Sequence, residues 1–338
     1  MTEEQKSILA GAGITDATDV ARYGSGHINE TYKVETASGV RYILQRVNTS
    51  IFDVDLLKTN VVRVTEFLKS KGVKSLEVVA YENPWRIYRF LEGYTSRDVV
   101  SEPRQAYDVG RAFAKFQNDL ADIPPPRLED IIPKFHDTPN RLKQLDDAAA
   151  KDVKGRLQSV AAEMAFVDSW RRNASRIVDL MASGEIPERV THNDTKINNV
   201  MVDAAGESVV IDLDTTMPGS ALFDFGDMVR TSTAAAAEDE TDLSKVFAKR
   251  EYFEALAKGY LEGAKFLNEA ERANLVFSGK LATFEVGIRF LADYLAGDVY
   301  FHTAYAEHNL VRARNQFQMV RSLEEQTEEF EKTVRACS

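Results

Sequence analysis

Hydrophobic positions along the chain change period near residue 100. Ahead of that point most of the pattern alternates. Glu30-Thr31-Tyr32-Lys33-Val34-Glu35 and residues 41–47 read as two strands around the turn at Ser38-Gly39. Residues 75–80 and 85–91 read as two more, joined by Glu82-Asn83-Pro84. A short helix over residues 3–10 is stopped by Gly11 and Gly13. A longer one over residues 53–70 carries Leu56, Leu57, Val61, Val64, Phe67 and Leu68 near the 3.6-residue period and ends at Gly72. Beyond Arg104 the helical period dominates. Residues 107–120 place Val109, Ala112, Phe113 and Phe116 on one face, and Ile123-Pro124-Pro125-Pro126 ends that helix. Residues 148–183 read as one long helical stretch with Phe166 and Trp170 in its core face. Residues 243–266, 269–295 and 310–334 read as further helices, the last with a solvated second half from Glu324 to Lys332. Residues 135–140 are expected to be a loop, and 234–240 a surface turn. The pattern predicts an α+β protein with a β-rich part over residues 1–92 and a helical part over 93–338, linked by Phe90-Leu91-Glu92-Gly93.

One polar stretch inside the helical part carries chemistry. His192-x-Asp194 followed by Asn199 matches the H-x-D-x-x-x-x-N catalytic loop of kinases, in which the Asp accepts or orients a hydroxyl proton and the Asn holds a metal on nucleotide phosphates. Val200-Met201-Val202-Asp203 suits a short strand, Ala204-Ala205-Gly206-Glu207 a turn, and Val209-Val210-Ile211 a second strand ending on Asp212. Folding this hairpin about Gly206 returns Asp212 to the side of Asn199, with Asp214 just beyond. Asp194 is then the candidate base, and Asn199, Asp212 and Asp214 the candidate metal ligands. Asp224-Phe225-Gly226 looks like the kinase metal triplet, but Met217-Pro218-Gly219 breaks the strand before it. We read Asp224 as a buried carboxylate that ties the loop to a helix around residues 227–230.

Near the N-terminus, Gly24, Ser25, Gly26 and Asn29 precede an alternating strand and are candidates to cover nucleotide phosphates with backbone N–H groups. The pattern is G-x-G-x-x-N, with Asn29 where a third glycine is usual. The lysine expected on the next strand is missing; Gln45 or Arg46 occupies its place, and Glu66 is a candidate to orient Arg46.

Composition narrows the partners. A net charge of −11 argues against a broad nucleic-acid surface and leaves room for ATP held by a few local groups and a metal. The single Cys337 allows no disulfide within one chain. Residues 1–6 lack the basic and apolar runs of a signal peptide, and no stretch approaches the ~18 apolar residues of a membrane span. These features lead us to expect a cytoplasmic protein, a monomer or weak homodimer.

Four blocks together resemble the aminoglycoside-phosphotransferase-like kinases, and within that group most closely the bacterial N-acetylhexosamine 1-kinases. They are Tyr42-Ile43-Leu44-Gln45 with Asn48-Thr49-Ser50-Ile51-Phe52; Phe135-His136-Asp137-Thr138-Pro139; the 191–201 loop with residues 211–219; and Arg289-Phe290-Leu291-Ala292-Asp293-Tyr294-Leu295 through His308-Asn309-Leu310-Val311-Arg312. The resemblance implies a two-lobed, protein-kinase-like fold whose first lobe binds the nucleotide. It also implies ATP- and Mg²⁺-dependent phosphorylation of the anomeric hydroxyl of GlcNAc or GalNAc. Asp194 would be the base, Asn199 and Asp212 would hold the metal, and Thr215, Arg289 and Tyr300 would contact the sugar. Two alternatives stand beside it: another hydroxyl acceptor (a different sugar, an aminoglycoside or a choline-like alcohol), or a nucleotide-binding protein without catalysis. Arg289 in the acceptor pocket would repel a cationic acceptor. It also has Glu285 and Asp293 four residues to either side, a spacing that predicts helix ion pairs.

Overall fold

The structure, a computed structural model, describes residues 1–24 and 28–337. The candidates Ser25 and Gly26 lie outside the described residues. The chain forms two compact units: Met1–Ser96 with Asp122–Pro133 and Val200–Pro218, and Arg97–Ala121 with Lys134–Asn199 and Gly219–Ser338.

The first unit begins with helix α1 (Glu3–Gly11), started by a reciprocal cap in which Thr2 and Gln5 each bond the other's backbone N–H. Strands β1 (Ala17–Arg22), β2 (Glu30–Thr36) and β3 (Arg41–Arg46), helix α2 (Val54–Ser70), and strands β4 (Val78–Glu82) and β5 (Trp85–Arg89) follow. The strands make one antiparallel sheet in the order β1-β2-β3-β5-β4. Val34, Leu44 and Ile87 point to the same face and are fully buried with Leu9, Ile14 and Trp85. β1 was absent from the pattern-based expectation: it is an edge strand with a mostly exposed Ala-Thr-Asp-Val-Ala-Arg sequence, so burial leaves no alternation to read.

The later segments of this unit are stitched on by Asn60 of α2, which is fully buried. Its Nδ2 donates to the carbonyls of Glu129 (2.9 Å) and Thr216 (3.0 Å), and its Oδ1 accepts from the Glu129 amide (2.8 Å). A boundary after residue 92 therefore leaves out two segments that pack with the sheet. The hairpin over residues 200–210 forms as expected, with Val200 opposite Val210 and Val202 opposite Ser208. Its turn uses Gly206 at φ 82°, and Asp203 Oδ1 accepts from the amides of Ala205 and Glu207.

The second unit is helical: α3 (Pro103–Leu120), α4 (Thr138–Lys151), α5 (Ala161–Trp170), α6 (Arg176–Ala182), α7 (Ala221–Ser232), α8 (Arg250–Gly263), α9 (Glu269–Ala296), α10 (His308–Glu325) and α11 (Thr327–Cys337). α3 and α8 cross at very short range. A Cβ on Gly259 would stand 2.1 Å from the Tyr107 carbonyl, and one on Gly110 2.4 Å from that of Leu256. Three expected helices differ. The 148–183 stretch is broken after Lys151, because Asp152 turns left-handed at φ 36° and its side chain accepts the amides of Arg156 and Leu157. The 243–266 helix begins only at Arg250; Asp242 caps a short 3₁₀ turn instead. The last helix breaks at Gln326, and its second part is not wholly solvated, since Phe330 is fully buried and stacks on Phe253 at 3.9 Å.

Candidate active site

In the second unit, two carboxylates of α7 shape the 191–199 loop by taking its backbone amides. Asp224 is fully buried. Its Oδ1 accepts from Asn193 N (2.7 Å), and its Oδ2 from His192 N (2.8 Å) and Gln117 Nε2 (2.6 Å). Asp227 accepts from Thr195 N (2.9 Å) and pairs with Arg230 (2.8 Å). Burial pushes the Asp224 carboxyl above its usual range. Burial acts most strongly on Asp227 too, but the Arg230 charge and hydrogen bond, together with other nearby positive groups, outweigh it and hold that carboxyl low. This is the buried, loop-tying role expected of Asp224. His192 is buried with its ring edge-on to Phe113 and Phe116. Asn193 takes φ 64°, which turns the chain so that Asp194 emerges half-buried.

Asp194 and Asn199 meet. Asn199 Nδ2 donates to the Asp194 carbonyl (2.8 Å) and to its Oδ2 (3.1 Å). Lys196 Nζ also lies 3.1 Å from that Oδ2. Because Asn199 commits its amide N–H to Asp194, its Oδ1 remains an acceptor suited to a hard cation. The hairpin register pairs Val200 with Val210, so the Ile211-Asp212 step leaves the hairpin at the end where Val200 enters it.

In the first unit, Asp212 precedes and Asp214 lies within one 3₁₀ turn, Leu213–Thr215, yet they have different surroundings. Asp212 is exposed, on left-handed backbone at φ 59°. Asp214 is 4% exposed. Its Oδ2 accepts from Asn29 Nδ2 (2.6 Å) and Arg86 Nη2 (2.8 Å), and that Nη2 also lies 2.6 Å from Oδ1. Arg86, on β5, is 1% exposed. Its Nε and Nη2 also donate to Gln45 Oε1 (2.8 and 2.6 Å), and Gln45 Nε2 donates to Thr31. Burial alone would lower the guanidinium's pKa, but the Asp214 carboxylate together with the Tyr88 and Tyr81 hydroxyls more than offsets this, so Arg86 stays charged. Arg46 is exposed and lies 3.9 Å from Glu30. Glu66 is exposed as well, and no ion pair joins it to Arg46 among the described residues. Gly24 has φ 80° and open space beside it. The Asn29 side chain donates to Asp214 and accepts the Asn48 amide (3.0 Å).

No three His, Cys, Asp or Glu side chains converge as a metal centre among the described residues. Mg²⁺ takes few protein ligands and completes its shell with phosphate oxygens and water. The exposed Asp212 carboxylate and the Asn199 amide oxygen are donors of the right kind.

The 285–309 region of the second unit carries the remaining candidates. Arg289 is half-buried and forms no ion pair or hydrogen bond among the described residues; its guanidinium lies over the rings of Phe135 (5.4 Å) and Phe301 (5.6 Å). The helix ion pairs predicted by spacing do not form, because both acids serve tertiary partners. Glu285 accepts from Thr138 Oγ1 (2.5 Å) and lies 2.7 Å from His136 Nδ1. Asp293 takes the amides of Val299 (3.0 Å), Tyr300 (2.8 Å) and Phe301 (3.0 Å), and Asn309 Nδ2 (2.9 Å). That set of bonds shapes the loop on which Tyr300 stands 61% exposed. Thr215 lies in the first unit, half-buried on the 3₁₀ turn after Asp212.

Residues 19–271 match the phosphotransferase enzyme family. The chain belongs to that family. Its fold is protein-kinase-like, a small antiparallel sheet lobe and a helical lobe. A choline/ethanolamine kinase family protein from Mesorhizobium loti is similar at 18% identity and a TM-score of 0.60, over 99% of this chain and 98% of that one. A choline kinase from Cryptosporidium parvum is similar at 13% identity and a TM-score of 0.62, over 99% of each chain. An ADP-bound aminoglycoside phosphotransferase is similar at 12% identity and a TM-score of 0.59, over 95% of this chain and 99% of that one.

This phosphotransferase is a member of an ATP-using kinase family acting on alcohol acceptors. Among its described residues no helix is long and apolar enough to cross a membrane. Pattern reasoning missed two residues of its site. Lys196 had a usable signal, a cation two residues after the candidate base. Arg86 had a weaker one: it is a charge between the apolar Trp85 and Ile87 of β5, directly opposite Gln45 in the sheet register.

Proposed function

We propose that this phosphotransferase transfers the γ-phosphoryl group of ATP to the anomeric hydroxyl of an N-acetylhexosamine, GlcNAc or GalNAc. Arg289 carries the acceptor half of this reading. A half-buried guanidinium set over two aromatic rings, with no ion pair among the described residues, suits a neutral sugar with oxygen acceptors and repels choline or an aminoglycoside. Arg141 adds to the positive field; burial and then the nearby Arg289 charge hold its pKa low. Helix α7 also links this region to the loop of Asp194. Its Asp227 holds Thr195, its Phe223 stacks on His136, and His136 rests on Glu285, one helical turn before Arg289.

In the reaction, the anomeric oxygen attacks the γ-phosphorus, the bond to the β–γ bridging oxygen breaks, and ADP leaves. Asp194 takes the hydroxyl proton, with Asn199 and Lys196 holding its carboxylate in place. Asn199 Oδ1 and Asp212 would hold Mg²⁺, which when bound neutralises charge on the β- and γ-phosphates. Thr215, Arg289 and Tyr300 would bind the sugar, and the backbone of residues 24–29 would cover the phosphates.

The structural neighbours named for choline and aminoglycosides favour a second reading, a cationic alcohol acceptor, which the Arg289 charge opposes. A coupled ATPase screen across GlcNAc, GalNAc, glucose, choline and kanamycin, with ³¹P NMR of the product, decides between them. Turnover with an N-acetylhexosamine to a 1-phosphate is expected. Turnover with choline or kanamycin alone would replace the sugar reading, and no turnover with any acceptor despite tight ATP binding would favour a non-catalytic protein.

A further inference from the structure

Asp212 and Asp214 are two residues apart, and spacing alone lets both ligate one cation. Their surroundings part them. Asp212 is exposed, whereas Asp214 is buried against a guanidinium that is itself buried. Arginine does not deprotonate in a protein, so a buried Arg86 needs a permanent counter-charge. Among the described residues Asp214 is its only ion-pair partner. A Mg²⁺ about 2.1 Å from Asp214 Oδ1 would sit against the guanidinium nitrogen already 2.6 Å from that oxygen. Like charges at that range inside a protein repel strongly.

The bonds around Asp214 form one continuous path. Thr31 of β2 holds Gln45 of β3, Gln45 holds Arg86 of β5, Arg86 holds Asp214, and Asp214 holds Asn29, which in turn accepts the Asn48 amide. Three strands, the turn that begins at Asp212 and the end of the glycine-bearing segment are thereby tied into one piece.

We infer that Arg86 withdraws Asp214 from the metal site. Asp212 is then the one carboxylate this turn offers to nucleotide-bound Mg²⁺. Asp214 is a positioning residue that, with Arg86, Gln45 and Asn29, sets where Asp212 and the backbone of Asn29 stand. The inference rests on the nucleotide half of the proposed function and not on its acceptor.

The test uses the full chain with ADP or a non-hydrolysable ATP analogue and no acceptor. Mn²⁺ binding is read by EPR, nucleotide Kd by calorimetry and folding by urea denaturation. Wild-type Mn²⁺–nucleotide binding reports on the kinase reading; the differences between variants report on the inference. Asp212→Asn is expected to weaken nucleotide-dependent Mn²⁺ binding about 10-fold or more, the least a lost metal contact costs. Asp214→Asn strands the Arg86 charge and is expected to lower stability. The charge-neutral double variant Asp214→Asn/Arg86→Met is expected to recover stability and to bind Mn²⁺ within a few-fold of wild type. Its nucleotide Kd should stay raised on the order of 10-fold, because positioning is lost although the fold is not. If the folded double variant loses Mn²⁺ as Asp212→Asn does, Asp214 is a ligand and the inference is wrong. If it recovers nucleotide affinity along with stability, Asp214 serves folding alone, and the positioning role is wrong.

Discussion

Asp194 has little freedom: the Asn199 amide and the Lys196 ammonium both meet its Oδ2. In Asp194→Asn those neighbours face an amide of nearly equal size that cannot accept the acceptor's proton. Calorimetry should therefore find MgATP and sugar binding close to wild type. The rate should fall about 10²–10⁴-fold in kcat, and a near-normal kcat would remove the base from the mechanism. Arg289 makes the complementary case on the acceptor side. Losing a charge-assisted hydrogen bond costs about 1.5–3 kcal/mol, or roughly 10–100-fold. Arg289→Ala should raise the sugar KM by that factor and leave ATP affinity within a few-fold. An unchanged sugar KM in a folded variant would reduce Arg289 to ring packing between Phe135 and Phe301. At this scale the chain is readable where chemistry is local: His192-x-Asp194 and Asn199 lie in one loop, and that loop brings Asp194 and Asn199 together.

Elements place these residues, and they do so with buried acids. Asp224 alone accepts two loop amides and the Gln117 side chain. Asp224→Ala leaves all three donors buried and unmet, at about 1–3 kcal/mol each where no water can enter. We expect urea denaturation to show a loss of about 3 kcal/mol or more, with the metal site failing only as the fold fails. A folded variant of wild-type stability that cannot bind Mg²⁺–nucleotide would make Asp224 a metal residue after all. Asp293 does the same for the loop after α9. Asp293→Ala should speed hydrogen exchange at the amides of Val299, Tyr300 and Phe301 while the middle of α9 keeps its protection. Unaltered exchange at those three amides would show that the loop holds its shape without the carboxylate.

For the molecule as a whole, pH separates the buried carboxylates. Arg230 holds Asp227 below its ordinary value of 3.8. A depressed acid contributes stability above its unfolded pKa and loses that contribution as pH falls through the folded one. Asp224 is raised, so its protonation works in the opposite direction. As pH falls from about 5 through the lowered Asp227 pKa, the urea midpoint should fall, and it should fall less steeply in Asp227→Asn; an equal slope would mean the Asp227–Arg230 pair plays no part in acid unfolding. What the sequence determined by itself was the part written in short-range periods. The helices of α2, α3 and α9, the central strands of the sheet and the hairpin from Val200 to Val210 follow from alternation, caps and glycine turns, and family resemblance carried these elements to a kinase-like fold. Tertiary structure alone decided the rest. The edge strand β1 is exposed and so leaves no burial pattern. The break at Asp152 depends on a side chain capping its own turn. The fates of Glu285 and Asp214 depend on partners more than a hundred residues away, and that of Asp293 on a loop beyond the end of its helix; spacing along one helix or one turn cannot report on such partners. A carboxylate's role is set by the charge beside it, and Arg86 stands beside Asp214 only once β3 and β5 have paired.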